Sequence, residues 1–150
     1  MSTLRMRYET LEFGAMDIHV RTLRDAQQFE GDVDGAEAHG VSAAQWSLFG
    51  VIWPSGRILA RLMMAREIEG LKILEVGCGI GLASLVLNER EADITATDYN
   101  PSAERFLAEN VQLNSGREIP FVRAGWAEET PGLGEFDLII GSDVLYERGL

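Results

Sequence analysis

The chain has 150 residues, of which 46% are hydrophobic and 25% are charged, as is ordinary for one globular domain with a real core. Its net charge of −11 argues against a nucleic-acid partner, because the overall field repels phosphate. A single cysteine excludes an internal disulfide and a cysteine-built zinc site, and neither histidine has a partner at metal-ligand spacing, so we expect no metal. The absence of a signal peptide and of a membrane-length apolar run predicts a cytoplasmic protein with no membrane partner.

The first predicted element is a β-hairpin over residues 4 to 23, where apolar residues alternate loosely on both sides of Gly14. Residues 30 to 40 are rich in Gly, Asp, Glu and Ala and have no periodicity, which predicts a loop. We therefore expect an N-terminal hairpin and loop over residues 1 to 45, followed by the main domain over residues 46 to 150.

An apolar, tryptophan-containing segment opens the main domain at residues 41 to 53. It predicts either core packing or a lid over a ligand. Pro54 suits a first helical turn, and apolar residues then recur at helical spacing, which predicts a helix from Pro54 to about Glu69.

The chain then runs into a short apolar strand that ends in alternating glycines, Lys72-Ile73-Leu74-Glu75-Val76-Gly77-Cys78-Gly79-Ile80-Gly81, followed by a helix over residues 82 to 89. Such a strand, turn and helix place a helix N-terminus against a ligand. The loop lacks the Gly-Lys-Ser/Thr ending of a phosphate loop and has Gly-x-Gly-x-Gly rather than dinucleotide spacing. Glu75 beside the turn suits a ligand that carries an ammonium and a sulfonium.

A second strand over residues 93 to 97 ends in Asp98, an acid placed to accept hydrogen bonds from ribose hydroxyls. The next helix is expected to begin with Asn100 as its cap and Pro101 as its first residue. A third strand over residues 119 to 122 precedes Trp126, which is either a cover for an adenine ring or a buried core residue.

The fourth strand, residues 136 to 141, is continuously apolar, which predicts that both of its faces are covered. It leads into Ser142-Asp143-Val144-Leu145-Tyr146 at the carboxyl end of the sheet, where open α/β folds bind ligands.

The segment Glu75 to Gly81 resembles the first motif of class I S-adenosylmethionine (SAM) methyltransferases, and Asp98 resembles their ribose-binding acid. Three further pieces resemble the seven-strand protein lysine methyltransferases of the methyltransferase-like group: Trp53-Pro54-Ser55-Gly56, Trp126, and the Asp-x-x-Tyr signature from Asp143 to Tyr146. This resemblance implies a Rossmann-like sheet whose first four strands lie in the spatial order 3-2-1-4.

The resemblance also implies roles for individual residues. Asp143 and Tyr146 would position an acceptor amine. The cofactor SAM would be bound by Trp53, Glu75, Gly77, Cys78, Gly79, Asp98, Trp126 and Ser142. Of these, Glu75 would support either the turn or the ammonium, and Trp53 would contact SAM or serve as a buried anchor at the helix start.

The seven-strand pattern breaks off after strand four, so we expect a fragment of a longer protein, or self-association through the exposed strand-four edge. The expected function is methyl transfer from SAM to a nitrogen nucleophile, with a protein lysine as acceptor. The alternatives are a small-molecule N- or O-methyltransferase and a non-catalytic SAM-binding or interaction module. A nicotinamide-dinucleotide enzyme is disfavoured by Glu75 and the glycine spacing.

Overall fold

The computed structural model describes residues 5–24, 49–125 and 132–144. In chain order its elements are β1 (Met6–Phe13), β2 (Met16–Leu23), α1 (Pro54–Ala65), β3 (Lys72–Glu75), α2 (Leu82–Glu89), β4 (Asp93–Asp98), α3 (Ala103–Leu113), β5 (Phe121–Arg123) and β6 (Leu138–Ile140). The predicted boundary between residues 45 and 46 lies outside the described residues.

Four parallel strands form the main sheet, in the spatial order β5-β4-β3-β6. This order confirms the 3-2-1-4 arrangement that the motifs implied. Strand β3 is central, and in its register Leu74 lies opposite Thr95 on one side and Ile139 on the other. Because all four strands run the same way, their carboxyl ends, and the loops that follow them, meet at one edge of the sheet.

Burial explains why β3 and α2 form the centre of the domain. Ile73 is fully buried and Leu74 is 5% exposed. Helix α2 is buried along Leu82–Asn88 and packs against both α1 and β4. An apolar helix of this kind is stabilised by its packing rather than by its intrinsic propensity.

The antiparallel hairpin of β1 and β2 packs onto this core instead of standing apart from it. Phe13, Ile18 and Val20 belong to the same buried cluster as Ile73. In β2 the residues that point inward alternate with residues that face water, as expected for a strand with one covered face.

Two asparagines on α3 satisfy the backbone of β2 in the way that a neighbouring strand would. Asn110 accepts a hydrogen bond from the Arg21 N–H at 2.6 Å and donates to the Arg21 carbonyl at 3.0 Å. Asn114, one helical turn further on, does the same for His19, at 2.8 and 2.7 Å. The i, i+4 spacing on the helix thus matches the i, i+2 spacing on the strand, and the β2 edge is covered.

Two helix boundaries differ from those predicted. Helix α1 ends at Ala65 rather than near Glu69, because Arg66 is extended and Arg90 donates to the carbonyl oxygen of Arg66 at 2.8 Å. Helix α3 begins at Ala103, not at Pro101, because the Asn100 side chain accepts from the Ser102 N–H at 2.8 Å and forms a turn ahead of the helix.

Strand β6 is shorter and more exposed than predicted. It spans Leu138–Ile140 instead of residues 136 to 141, and β5 starts two residues later than predicted, at Phe121. Ile139 is 62% exposed, so the expectation that both faces of this strand are covered is wrong for the chain as it stands.

The amino end of β3 is closed by a small cluster far from the glycine loop. The Lys72 N–H donates to the Asp137 carboxylate, and the Asp137 N–H donates to the Lys72 carbonyl, both at 2.8 Å. The Lys72 ammonium lies 4.8 Å from the centre of the Phe136 ring.

Among the helices in the described part of the chain, none combines the length and apolar character needed to cross a bilayer.

Candidate active site

The loop after β3 places three glycines in the left-handed region, with φ of +58° at Gly77, +55° at Gly79 and +78° at Gly81. A Cβ on Gly77 would lie 2.7 Å from Cγ1 of Val144, so this position needs glycine for a close approach. A Cβ on Gly79 would meet no atom of the described residues within 4 Å. The loop therefore closes against the segment after β6 at Gly77 and leaves open space at Gly79.

Cys78 shapes this loop from inside. Its N–H donates to the Thr97 carbonyl at 2.8 Å, and its carbonyl accepts from the Gly81 N–H at 2.7 Å. Burial, followed by the nearby charges of Glu75 and Asp98, raises the pKa of its thiol well above the usual range. The Cys78 N–H is therefore already hydrogen-bonded within the fold, and the thiol is neither exposed nor ionised.

Glu75 is buried at the end of β3 and holds the start of α2. Its Oε1 accepts from the Ser84 N–H at 3.2 Å and from the Ser84 hydroxyl at 2.6 Å. Burial raises the pKa of the Glu75 carboxyl to about 7, although the Ser84 bonds act in the opposite direction. Of the two roles expected for Glu75, these contacts provide support of the turn. The sequence feature that could have identified Ser84 as its partner is that Ser84 is a lone serine in an apolar helix.

We expect Glu75→Gln to change how stability depends on pH. The folded-state pKa of Glu75 exceeds its ordinary value of 4.5, so the native state holds a proton that the unfolded chain has released, and stability falls as pH rises from about 4.5 to about 7. This difference of about two and a half units between the folded and unfolded pKa of Glu75 corresponds to a loss of roughly 3 kcal/mol in the free energy of unfolding. Because a glutamine oxygen can still accept both Ser84 bonds, the variant should lack this loss.

The measurement is the free energy of unfolding in urea at several pH values between 4.5 and 8. Burial also raises the pKa of Asp98, so the wild-type curve contains a second loss of the same sign. The difference between wild type and variant isolates Glu75. If the two curves run parallel, the buried carboxyl at position 75 does not cause the pH dependence.

Asp98 lies at the carboxyl end of β4 and faces the glycine loop. Its Oδ2 accepts from the Gly79 N–H at 2.7 Å and its Oδ1 accepts from the Asn100 N–H at 2.8 Å. Burial raises the pKa of this carboxyl, opposed by hydrogen bonds from the backbone of Asn100, Gly79 and Tyr99. A carboxylate accepts about four hydrogen bonds, so beyond these backbone donors it retains acceptor capacity for a ribose hydroxyl.

The start of α1 meets the segment after β6 beside this loop. The Ser55 hydroxyl donates to the Asp143 carboxylate, and Oγ of Ser142 lies 3.8 Å from where a Cβ on Gly56 would be. The Trp-Pro-Ser-Gly and Asp-x-x-Tyr pieces, almost 90 residues apart in the sequence, therefore touch. Sequence reasoning did not single out Ser55, since nothing local links it to Asp143.

Trp53 is 38% exposed at the start of α1, so its interpretation as a buried anchor is wrong. Trp126 and Tyr146, predicted to cover the adenine and to position the acceptor, lie outside the described residues. Among the residues that are described, no three His, Cys, Asp or Glu side chains come together in a group that could hold a metal ion.

Comparison with known proteins identifies the family. Residues 41–150 match the family model described as lysine methyltransferase. The chain belongs to the lysine methyltransferase family. The resemblance to class I SAM methyltransferases, based on Glu75 to Gly81 and Asp98, is thereby confirmed.

Curated relatives of this lysine methyltransferase chain extend well beyond the matched region. It is 34% identical over 110 residues to protein N-lysine methyltransferase METTL21A of Mus musculus, covering 68% of this chain and 50% of the relative. It is 31% identical over 109 residues to the electron transfer flavoprotein beta subunit lysine methyltransferase of Danio rerio, covering 70% and 40%. The chain thus spans about half the length of the curated relatives it matches.

A solved structure shows the same fold. The structure of a T. thermophilus 16S rRNA methyltransferase, solved with AdoMet and guanosine, aligns to this chain with a TM-score of 0.64 and 17% sequence identity. The alignment covers 93% of this chain and 33% of the T. thermophilus chain. The likeness confirms the Rossmann-like α/β architecture. The lysine methyltransferase family supports SAM as the cofactor.

Proposed function

We propose that the protein to which this chain belongs transfers a methyl group from SAM to the side-chain nitrogen of a lysine in another protein. One observation carries the proposal. The exposed Asp143 carboxylate lies on the segment after β6, and the next residue, Val144, packs against Gly77 of the SAM-type glycine loop. An acidic acceptor group beside a cofactor loop suits a basic nitrogen nucleophile. The family match supports lysine as that nucleophile.

The geometry of the glycine loop after β3, together with Asp98 at the end of β4, supports SAM as the cofactor. The open space at Gly79 leaves room for a ligand to approach the backbone. Asp98 has acceptor capacity for a ribose hydroxyl, and its bond to the Gly79 N–H holds the glycine loop beside the end of β4. When bound, SAM supplies an electrophilic methyl group on a positively charged sulfur.

Asp143 acts on the acceptor. A lysine attacks only as the neutral amine, and desolvation near the apolar part of the site lowers the pKa of that amine. The Asp143 carboxylate can accept a hydrogen bond from the incoming nitrogen and fix its direction of approach. Alignment of both reactants by the whole site contributes on the order of 7–11 kcal/mol in well-aligned reactions, and one hydrogen bond supplies a small part of it.

The test is methyl transfer with isotopically labelled SAM and two kinds of acceptor. The first is the electron transfer flavoprotein beta subunit, the protein named for one relative. The second is a pool of peptides that each contain one lysine, with a matched pool in which arginine replaces lysine. Label in lysine acceptors and none in the arginine pool supports the proposal. Turnover of a small molecule without a protein acceptor, or SAM binding without transfer to any acceptor, would instead favour the alternatives.

We expect Asp143→Asn to separate binding from transfer. The asparagine keeps the size of the side chain but removes the charge that orients an amine, so transfer should fall by about tenfold to 100-fold, the range for loss of one positioned polar group. The dissociation constant for S-adenosylhomocysteine should stay within about twofold, because the hydrogen bonds described for the Asp143 and Asp98 carboxylates go to different partners, Ser55 and Gly79. Asp93→Asn, an exposed acid at the far end of β4, is the matched control. A fully active Asp143→Asn enzyme would remove Asp143 from the acceptor site.

A further inference from the structure

The first turn of α1 has a favourable proline, Pro54, but no capping side chain of its own. Trp53 occupies the N-cap position without a side-chain capping bond, and the turn contains no acidic residue. The Asp143 carboxylate fills this gap from across the domain by accepting from the Ser55 hydroxyl. A negative charge at a helix N-terminus is favourable, so the start of α1 and the segment after β6 hold each other.

Asp143 has an uncommon backbone conformation, with φ of +52°. Outside glycine this region costs on the order of 1–2 kcal/mol and persists where the surroundings impose it. Here the surroundings act on both sides. Val144 packs against Gly77 of the cofactor loop, and Ser55 binds the Asp143 side chain.

We propose that Ser55 is a positioning residue for methyl transfer: it fixes the Asp143 carboxylate in the direction from which that group receives the acceptor amine. This inference rests on the proposed function. In this role Ser55 acts on the acceptor through Asp143, to which its hydroxyl donates.

The chemistry of a hydroxyl suits this role. It donates one hydrogen bond to Oδ2 and leaves Oδ1 and the remaining lone pairs of the exposed carboxylate available. It also leaves the negative charge intact, whereas an arginine or lysine partner would neutralise the charge that attracts a basic acceptor. The ion pairs found among the described residues do not include Asp143.

A purely structural link between α1 and β6 is the competing explanation, and two measurements separate it from positioning. The first uses the free 150-residue chain, labelled with carbon-13, to compare the Asp143 backbone and carboxyl resonances in wild type, Ser55→Ala and Ser55→Thr. The second compares kcat and the acceptor KM for methyl transfer in the same three proteins. Ser102→Ala removes a hydroxyl at the start of α3 that makes no capping bond, and is the matched control.

We expect Ser55→Ala to shift both Asp143 resonances, to lower kcat about tenfold, the low end of what one positioned polar group contributes, and to leave the melting temperature and the affinity for S-adenosylhomocysteine close to those of wild type. Ser55→Thr keeps the hydroxyl and should restore both the resonances and kcat. A lower melting temperature with unchanged kcat would make the contact structural and overturn the inference.

The failure of this inference is distinguishable from failure of the proposed function. If wild type methylates a lysine acceptor and Ser55→Ala is equally fast, only the positioning role is wrong. If wild type binds S-adenosylhomocysteine but methylates no acceptor, the proposed function fails, and the inference fails with it. Unchanged Asp143 resonances in Ser55→Ala would overturn the inference whatever the activity.

Discussion

Replacing Asp98 with alanine is expected to raise the dissociation constant for S-adenosylhomocysteine about tenfold to 100-fold. A hydrogen bond to a charged group contributes about 1.5–3 kcal/mol, and the ribose would lose this acceptor. The variant also leaves the Gly79 N–H, which Asp98 now binds at 2.7 Å, without its partner, so the loop itself should loosen. Calorimetric titration of the 150-residue chain measures the effect directly.

The control for this experiment is Asp93→Ala. Asp93 lies on the same strand, β4, but at its amino end, where it is exposed to solvent. Its replacement should leave the affinity unchanged, which excludes a general effect of removing an acid from this strand. If Asp98→Ala binds the nucleoside as tightly as wild type, Asp98 does not contact the ribose.

Asn110→Ala is expected to destabilise the fold strongly. Asn110 is fully buried, and its removal leaves both the N–H and the carbonyl of Arg21 without partners in the interior. Each unsatisfied buried group costs about 1–3 kcal/mol, so we expect a loss of about 3 kcal/mol and a melting temperature lower by roughly 10 °C. Urea unfolding and calorimetry provide the two measurements.

Asn114→Ala is the internal comparison. Asn114 makes the equivalent pair of bonds to His19, but at a more exposed part of the edge, where water can replace the lost side chain. We expect a loss of about 1 kcal/mol for this variant. Equal losses at the two positions would mean that burial does not set the cost, and that the asparagines act only as helix residues.

The parts of the fold that the sequence could predict are those determined by neighbours in the chain. An apolar run ending in glycines identified β3 and its loop, because strand, turn and helix follow one another within 20 residues. The end of β4 brings Asp98 beside Gly79, since the carboxyl ends of parallel strands share one edge. The order of the four strands came from the family resemblance rather than from periodicity.

The parts that it could not predict depend on contacts between distant residues. Helix α1 stops early because Arg90, 24 residues further on, binds the Arg66 carbonyl. The hairpin was placed ahead of the main domain as a separate piece, whereas Asn110, 89 residues from Arg21, ties it to α3. The Ser55–Asp143 bond spans 88 residues, and no pattern of spacing identifies such a pair.

The cluster at the amino end of β3 has a consequence for the product of the reaction. Lys72 is the one lysine in these 150 residues, and it is held against Phe136 at the end of the strand opposite the glycine loop. Under the proposed function, the acceptor site at the carboxyl edge lies at the other end of the sheet from the chain's own amine. Methyl-lysine formed on this chain by the proposed activity would then come from an encounter between two molecules, at an initial rate that rises with the square of the protein concentration.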